Sequence, residues 1–384
     1  MESWAATPIN KPIFVVGSPR SGTSILSWCL GQHPNIVVIP ESDWMGDFAV
    51  DLAIRYQIGT ARGNRSVLSA MGIEREEFFA HFGQSINDLL LNHREEFERK
   101  RRAFAFAKRA GYARVVPNAL PEASVMVQPG VSRKARWVDG TPEYSLHICG
   151  LRKLFSKALF IHIVRDVSSV VRSILNFHRV AGSSLVANEQ EAYEYWLRTV
   201  SSCLLAERAY GPRVVLRVRY SEFVDRPEST MRSLLNFLSE PFAAECLTPL
   251  QKRINSSNVP VDFKIGDPET DPSLVEQAMR LSTEVEKTPQ PPEASPAASD
   301  EMEAAFNERI SKYCNAQQVI AALQKRAERL AKEIKGKKAI IQHLRARRQR
   351  YKLRRWCFGQ DSDKHRNGWW SALRESFRRR TRKS

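Results

Sequence analysis

The chain has 384 residues, 42% of them hydrophobic, which is enough to bury one substantial core and leave residues over for an appendage. Its net charge of +17 is concentrated at one end: from Asp300 onward 24 Lys and Arg face 9 Asp and Glu, whereas the preceding residues hold 35 against 33. The body is therefore nearly neutral, and net charge does not mark it as a nucleic-acid or membrane binder.

In chain order, the opening MESWAATPINKP lacks the basic start and apolar run of a signal peptide, and nowhere do 18 apolar residues run together. The six cysteines (Cys29, Cys149, Cys203, Cys246, Cys314, Cys357) form no C-x-x-C pair, so neither a zinc site nor a disulfide framework is suggested. Together these features predict a soluble or membrane-peripheral protein in the reducing cytoplasm. Ile13 to Gly17 is an apolar run ending in glycine, the pattern of a strand buried on both faces of a parallel sheet. Ile25, Leu26, Cys29 and Leu30 then make one helical face, which His33-Pro34 ends. Ile36 to Ile39, Leu159 to Val164 and Val214 to Val218 read as further strands. Helices follow two of them, over Val167 to Phe177 and over Pro227 to Leu238. This alternation predicts an α/β fold with a central parallel sheet.

Asp43 to Arg136 is charged and helical in pattern and reads as an insertion over the sheet. The proline-rich Thr288 to Ser299 cannot build a core; it reads as a linker ending a body of residues 1–287. Beyond it, over 300–355, Leu323, Ala327, Leu330, Ile334, Ile341 and Leu344 alternate three- and four-residue steps, with Lys337 interrupting the seam. That is the pattern of a short coiled coil, and it predicts a homo-oligomer. The last segment, 356–384, places Trp370, Leu373 and Phe377 at i, i+3 and i+7 among arginines. It reads as a basic amphipathic helix at an anionic membrane surface, the paired tryptophans Trp369 and Trp370 favouring that over nucleic acid.

The densest chemical signal is Gly17-Ser-Pro-Arg-Ser-Gly-Thr-Ser24, between a predicted strand and a predicted helix. Its amides and the helix N-terminus can converge on an anion. A nucleotide triphosphatase loop would carry G-x-x-x-x-G-K-[ST]; here Gly17 and Gly22 keep the frame, Thr23 takes the lysine position, and the basic residue is Arg20. Without that lysine the loop is not suited to γ-phosphate transfer.

Pro19 to Ser24 matches the donor loop P-[KR]-[ST]-G-[ST]-[ST], and here the chain resembles the PAPS-dependent sulfotransferase superfamily, on its bacterial and tyrosylprotein-like side. Arg165 at a strand end and Ser173 eight residues later match a second family element, and Arg219-Tyr220-Ser-Glu-Phe223 with Pro227 a third. Trp137 to Tyr144 is similar to W-x-[DE]-K-[ST]-P, with Gly140 where many relatives have lysine. The resemblance implies 3′-phosphoadenosine 5′-phosphosulfate as donor and no metal. It further implies that Gly17, Ser18, Pro19, Arg20, Ser21, Gly22, Thr23, Ser24, Arg165, Ser173 and Tyr220 hold that donor, with Arg165 and Ser173 on its 3′-phosphate.

Sulfuryl transfer needs an in-line attacking oxygen, a base for its proton, and cations or N–H groups to receive charge on the leaving phosphate. Glu41 is the candidate base, with Asp43 its nearest competitor and Asp139 a candidate for orienting the acceptor. Arg20 is the candidate for stabilising the leaving phosphate, helped by Thr23 and Ser24. His162, on an alternating strand face, reads instead as a buried, hydrogen-bonded histidine, and His33 as structural. A glycan hydroxyl is the expected acceptor and a tyrosine or small phenol the alternative; an inactive body whose basic tail binds nucleic acid or acts as scaffold is the competing class.

Overall fold

The computed structural model describes residues 11–109, 134–251, 259–260 and 262–380, and side chains up to 353 except those of 102–109 and 180. The chain divides into two compact units, one up to Ser311 and one from Lys312. In the first, five strands form a parallel sheet: β1 (Ile13–Val16), β2 (Ile36–Val38), β3 (Arg136–Asp139), β4 (Leu159–Val164) and β5 (Val215–Arg219), in the order β2-β3-β1-β4-β5. Around it run α1 (Thr23–Leu30), α2 (Met45–Thr60), α3 (Val67–Ala70), α4 (Arg75–Arg109), α5 (Ile148–Leu154), α6 (Val167–Leu175), α7 (His178–Ala181), α8 (Glu189–Tyr210), α9 (Tyr220–Asp225), α10 (Pro227–Phe237) and α11 (Pro272–Lys287). The last helix, α12, spans Pro296–Arg380.

All four residues of β1 are fully buried, as an apolar strand between two covered faces must be. Ile13 lies opposite both Val138 and Leu159, and Val16 opposite His162. On one face Ile13, Val15, Ile161 and Ile163 join Leu26 and Leu30 of α1 with Met231 and Leu234 of α10. On the other, Phe14 packs edge-on to Trp137 and Tyr144 and stacks on Phe160 at 5.3 Å. The chain leaves β1 toward β2 on one side and, later, toward β4 and β5 on the other, so strand order reverses at β1. In open parallel sheets the crevice at such a point, beyond the carboxyl ends of the strands, is where ligands bind.

The four strands and the three helices expected from sequence are present, with the expected bounds of β1, β2, β4, β5, α6 and α10 within a residue or two. β3 was not anticipated, although it is central. Its four residues begin with Arg136 and end with Asp139, charges that disguise a buried strand; the first is paired with a carboxylate and the second is met by hydrogen-bond donors. Arg136 donates to the carbonyls of Lys11 and Leu238 and pairs with Glu240 at 3.0 Å. The helical insertion therefore ends before Arg136. Its α4 buries Phe79, Ile86 and Leu91, and Asn87 accepts a 3.1 Å hydrogen bond from the Trp137 indole.

The proline-rich stretch differs from the expected linker. Gln290 bonds both backbone groups of edge strand β5, donating to the Val215 carbonyl and accepting from the Arg217 amide at 2.9 Å. Ser295 and Ser299 bond the carbonyls of Arg208 and Ala209. Ala298, Met302, Phe306 and Ile310 then form a buried stripe at four-residue steps. Prolines keep residues 288–295 out of helix without preventing attachment, Pro296 starts α12, and the body extends to Ser311 rather than ending at residue 287. Of the basic tail, backbone helix is described to Arg380, while the side chains behind the amphipathic reading lie outside the described residues.

His162 is fully buried with its Nδ1 2.6 Å from Glu207, which also receives the Arg217 guanidinium. Burial works against its charge, yet Cys203 and Glu207 raise it from 6.5 to about 9. A raised histidine contributes stability that is complete below its unfolded value and lost as pH climbs through the folded one. The melting temperature is accordingly expected to fall between pH 6.5 and 9. A calorimetric Tm that rises across this interval would contradict the charged pair.

Candidate active site

The loop from Gly17 to Gly22 leaves the carboxyl end of β1 at the reversal point and enters α1. Its path depends on positive φ at Gly17 (152°), Arg20 (69°) and Gly22 (111°). A Cβ on Gly17 would meet the Ile163 carbonyl oxygen at 2.4 Å, and one on Gly22 the Tyr220 ring at 2.8 Å, so both glycines are required by close approach as well as by backbone. Arg20 has no such licence. A non-glycine residue held left-handed costs of the order of 1 to 3 kcal/mol and persists where the surroundings over-determine it. At the helix start Gly22 supplies no side-chain cap, leaving the first turn's dipole directed into the loop.

One distant stretch, Arg165 to Phe177 at the end of β4 and along α6, holds Arg20 in three ways. The Arg20 Nε donates to Ser173 Oγ of α6 at 3.2 Å, its guanidinium lies 5.0 Å over the Phe177 ring, and its carbonyl accepts from Arg165 at 3.1 Å. The Arg165 guanidinium in turn covers the Tyr220 ring at 4.5 Å. The sequence-predicted donor residues Arg20, Arg165, Ser173 and Tyr220 thus form one cluster against the loop. Burial lowers the Arg20 guanidinium's pKa and the neighbouring Arg165 charge lowers it further, while Glu41 opposes both. Two cations held side by side favour an anion. Ser18 and Ser21, both fully buried in the loop, have hydroxyls without a partner among the described residues. Such groups are costly unless something else bonds them, which fits a phosphate-bearing donor.

Glu41 follows β2 and accepts a 2.9 Å hydrogen bond from Ser24 Oγ, so the Ser24 hydroxyl is directed at the candidate base instead of into the loop. Burial among its neighbours raises the Glu41 carboxyl; Glu143 and Asp43 add to this, and the Ser24 bond and Arg20 oppose it. Asp139 corrects an expectation. It is fully buried and accepts from the Thr141 amide, the Thr141 hydroxyl and the Ser42 hydroxyl, leaving it no reach toward an acceptor. Its role is to position the segment after Glu41, together with Tyr144, whose hydroxyl lies 2.6 Å from Ser42 Oγ and accepts from the Met45 amide. Burial raises Asp139 to about 7 despite these donors.

Sequence reading missed Ser145, Glu143, Tyr195 and Phe177. Ser145 accepts the Gly17 amide at 2.9 Å and so fixes the first residue of the loop, while Tyr195 of α8 donates to Glu143 at 2.7 Å beside Glu41. Glu143 belongs to the Trp137 to Tyr144 stretch already singled out and Ser145 directly follows it, but Tyr195 and Phe177 reach the site only through the packing of α8 and of the segment after α6. No group of three potential metal ligands occurs among the described residues, and no described helix is long and apolar enough to cross a membrane.

Residues 12–244 match the model of the Sulfotransferase family, well over half of the chain. The chain belongs to that family. A Caenorhabditis briggsae relative named "Putative protein-tyrosine sulfotransferase" is 20% identical to this sulfotransferase over 235 residues, 61% of this chain and 68% of the relative. Among solved structures, sulfotransferase STF9 from Mycobacterium avium is 19% identical with a TM-score of 0.37, covering 75% of this chain and 79% of its own. The sulfotransferase domain of the Synechococcus PCC 7002 olefin synthase is 18% identical with a TM-score of 0.38, covering 80% and 98%.

Proposed function

We propose that this sulfotransferase moves a sulfuryl group from 3′-phosphoadenosine 5′-phosphosulfate to a hydroxyl of a glycan, with Glu41 as general base. The observation that carries this reading is the pairing of Arg20 on a helix-start loop with Arg165 beside it, the loop containing two buried serine hydroxyls without a partner among the described residues. Gly17 to Ser24 would hold the 5′ side of the donor, and Arg165 with Ser173 its 3′-phosphate. Glu41 takes the acceptor's proton as its oxygen bonds to sulfur. The bond from sulfur to the bridging oxygen breaks, and Arg20, with Thr23 and Ser24, stabilises the charge left on that phosphate oxygen. Ser24 must turn from Glu41 to do so.

Trp44, three residues from Glu41 and 44% exposed, offers an aromatic face of the kind a sugar ring packs on. A tyrosine hydroxyl is the second reading, favoured by the name of the nematode relative. Transfer of labelled sulfate to oligosaccharides, to tyrosine peptides and to phenols separates the acceptors; transfer to tyrosine peptides alone would overturn the glycan reading.

Donor recognition has its own test. Arg165→Ala is expected to weaken binding of 3′-phosphoadenosine 5′-phosphate by about 10- to 100-fold, the loss of a charge-assisted contact worth about 1.5 to 3 kcal/mol. Arg165 also holds the Arg20 carbonyl, so a control ligand is needed. Adenosine 5′-phosphosulfate, lacking the 3′-phosphate, should bind both proteins alike by calorimetry; equal weakening for the two ligands would refute the assignment.

A further inference from the structure

The second unit, from Lys312, is described by itself as helix, and along it the apolar side chains are exposed. Ile320, Leu323, Leu330, Ile334, Ile341 and Leu344 are each 47 to 58% exposed, although they fall on a single stripe. Single exposed apolar residues are ordinary, but a stripe sustained over more than three heptads is a seam. A helix with such a stripe gains most of its stability from what covers the stripe.

We propose that this seam pairs with the same segment of a second copy of the chain as a parallel, in-register, two-stranded coiled coil. The heptad phase places Ile320, Ile334 and Ile341 at a, with Ala327 among them, and Leu323, Leu330 and Leu344 at d. β-Branched residues at a with leucine at d favour two parallel strands over trimers or tetramers. Lys337 occupies the remaining d position, and a single polar core residue fixes register at a cost in stability.

Charge complementarity points the same way. In a parallel pair each g residue faces the partner's e residue of the next heptad, which brings Glu333 against the partner's Lys338 and, by symmetry, the reverse. An antiparallel pair would instead set e against e, where the only charged residues are Lys338 and Arg345 and repel, and g against g, where Glu333 lies among Arg326 and Arg347. The remaining surface is strongly basic, so the two strands repel at low salt. Added salt therefore strengthens this association, whereas it weakens attachment of a basic helix to phosphate.

Sedimentation of the full chain across concentration should show a monomer–dimer equilibrium that tightens between low and physiological salt. Leu330→Glu with Ile334→Glu should give a monomer at every concentration, with the melting temperature of the body unchanged because both positions are solvent-facing. Lys337→Leu should tighten the dimer by roughly ten-fold or more. Glu333→Lys and Lys338→Glu should each loosen it, and their combination should restore it. Ile334→Cys, oxidised under mild conditions, should cross-link through the introduced thiols at matching positions. A chain monomeric at all concentrations, a dimer indifferent to Leu330→Glu with Ile334→Glu, a higher oligomer, or absence of the in-register cross-link would each overturn the proposal.

Discussion

Glu41→Gln is expected to lower turnover by about 100-fold or more while leaving affinity for 3′-phosphoadenosine 5′-phosphate within about two-fold, since general-base catalysis contributes at least that much. The amide keeps the oxygen that accepts from Ser24 and so preserves the local geometry while removing the proton acceptor. In the wild type the carboxyl is raised by burial and by Glu143, and a general base there would act only when ionised. The rate should therefore fall toward acid pH as Glu41 takes up a proton, over a range lying above that of an ordinary glutamate. Glu143→Gln removes a like charge and should move that acid limb to lower pH. The checks are kcat against pH for all three proteins. Near-normal turnover in Glu41→Gln would transfer the base to Asp43 or to the acceptor itself, and an unmoved limb in Glu143→Gln would mean that Glu41 is not the titrating group.

The sheet was legible because β1 and β2 are apolar runs and β4 and β5 are rich in β-branched residues, each bounded by polar or turn residues, and the loop because its glycines sit where strand meets helix. β3 was illegible for an electrostatic reason: Arg136 and Asp139 are polar in sequence and are compensated by residues distant along the chain, Glu240 and Ser42 among them. A local reading has no access to that compensation. The same limit applies to the site. Arg165 and Ser173 could be named because they match a family element, but the contacts that join them both to Arg20 depend on β1 and β4 lying side by side. Ser145 could not be picked out from its neighbours in Trp137 to Tyr144, since its hydroxyl matters only through the Gly17 amide. Proline-rich composition misled in the opposite sense. It reports that no helix forms, and Gln290 shows that a chain without helix can still bond a sheet edge.

Arg20→Gly should separate function from stability at a single residue. The left-handed backbone at φ 69° penalises arginine by of the order of 1 kcal/mol or more and glycine hardly at all, so the substitution relaxes the loop while leaving the carbonyl that Arg165 holds. Against this stand the lost Ser173 hydrogen bond and the stacking on Phe177, each worth about 0.5 to 1.5 kcal/mol. Removing a partly desolvated cation from beside Arg165 offsets these further. The melting temperature should accordingly shift by no more than a few degrees. Turnover should not survive, because a preorganised donor at a developing negative charge typically contributes 10²- to 10³-fold. Arg20→Lys keeps the charge and the strained backbone and loses the planar fork, so it should fall between the two, roughly ten-fold below wild type. Single-turnover kinetics with saturating donor, run beside thermal melts, decide the matter. A loss of less than about ten-fold in Arg20→Gly would show that the guanidinium does not stabilise the leaving phosphate, and a collapse of the melting temperature would show that arginine is held left-handed here for the sake of the fold.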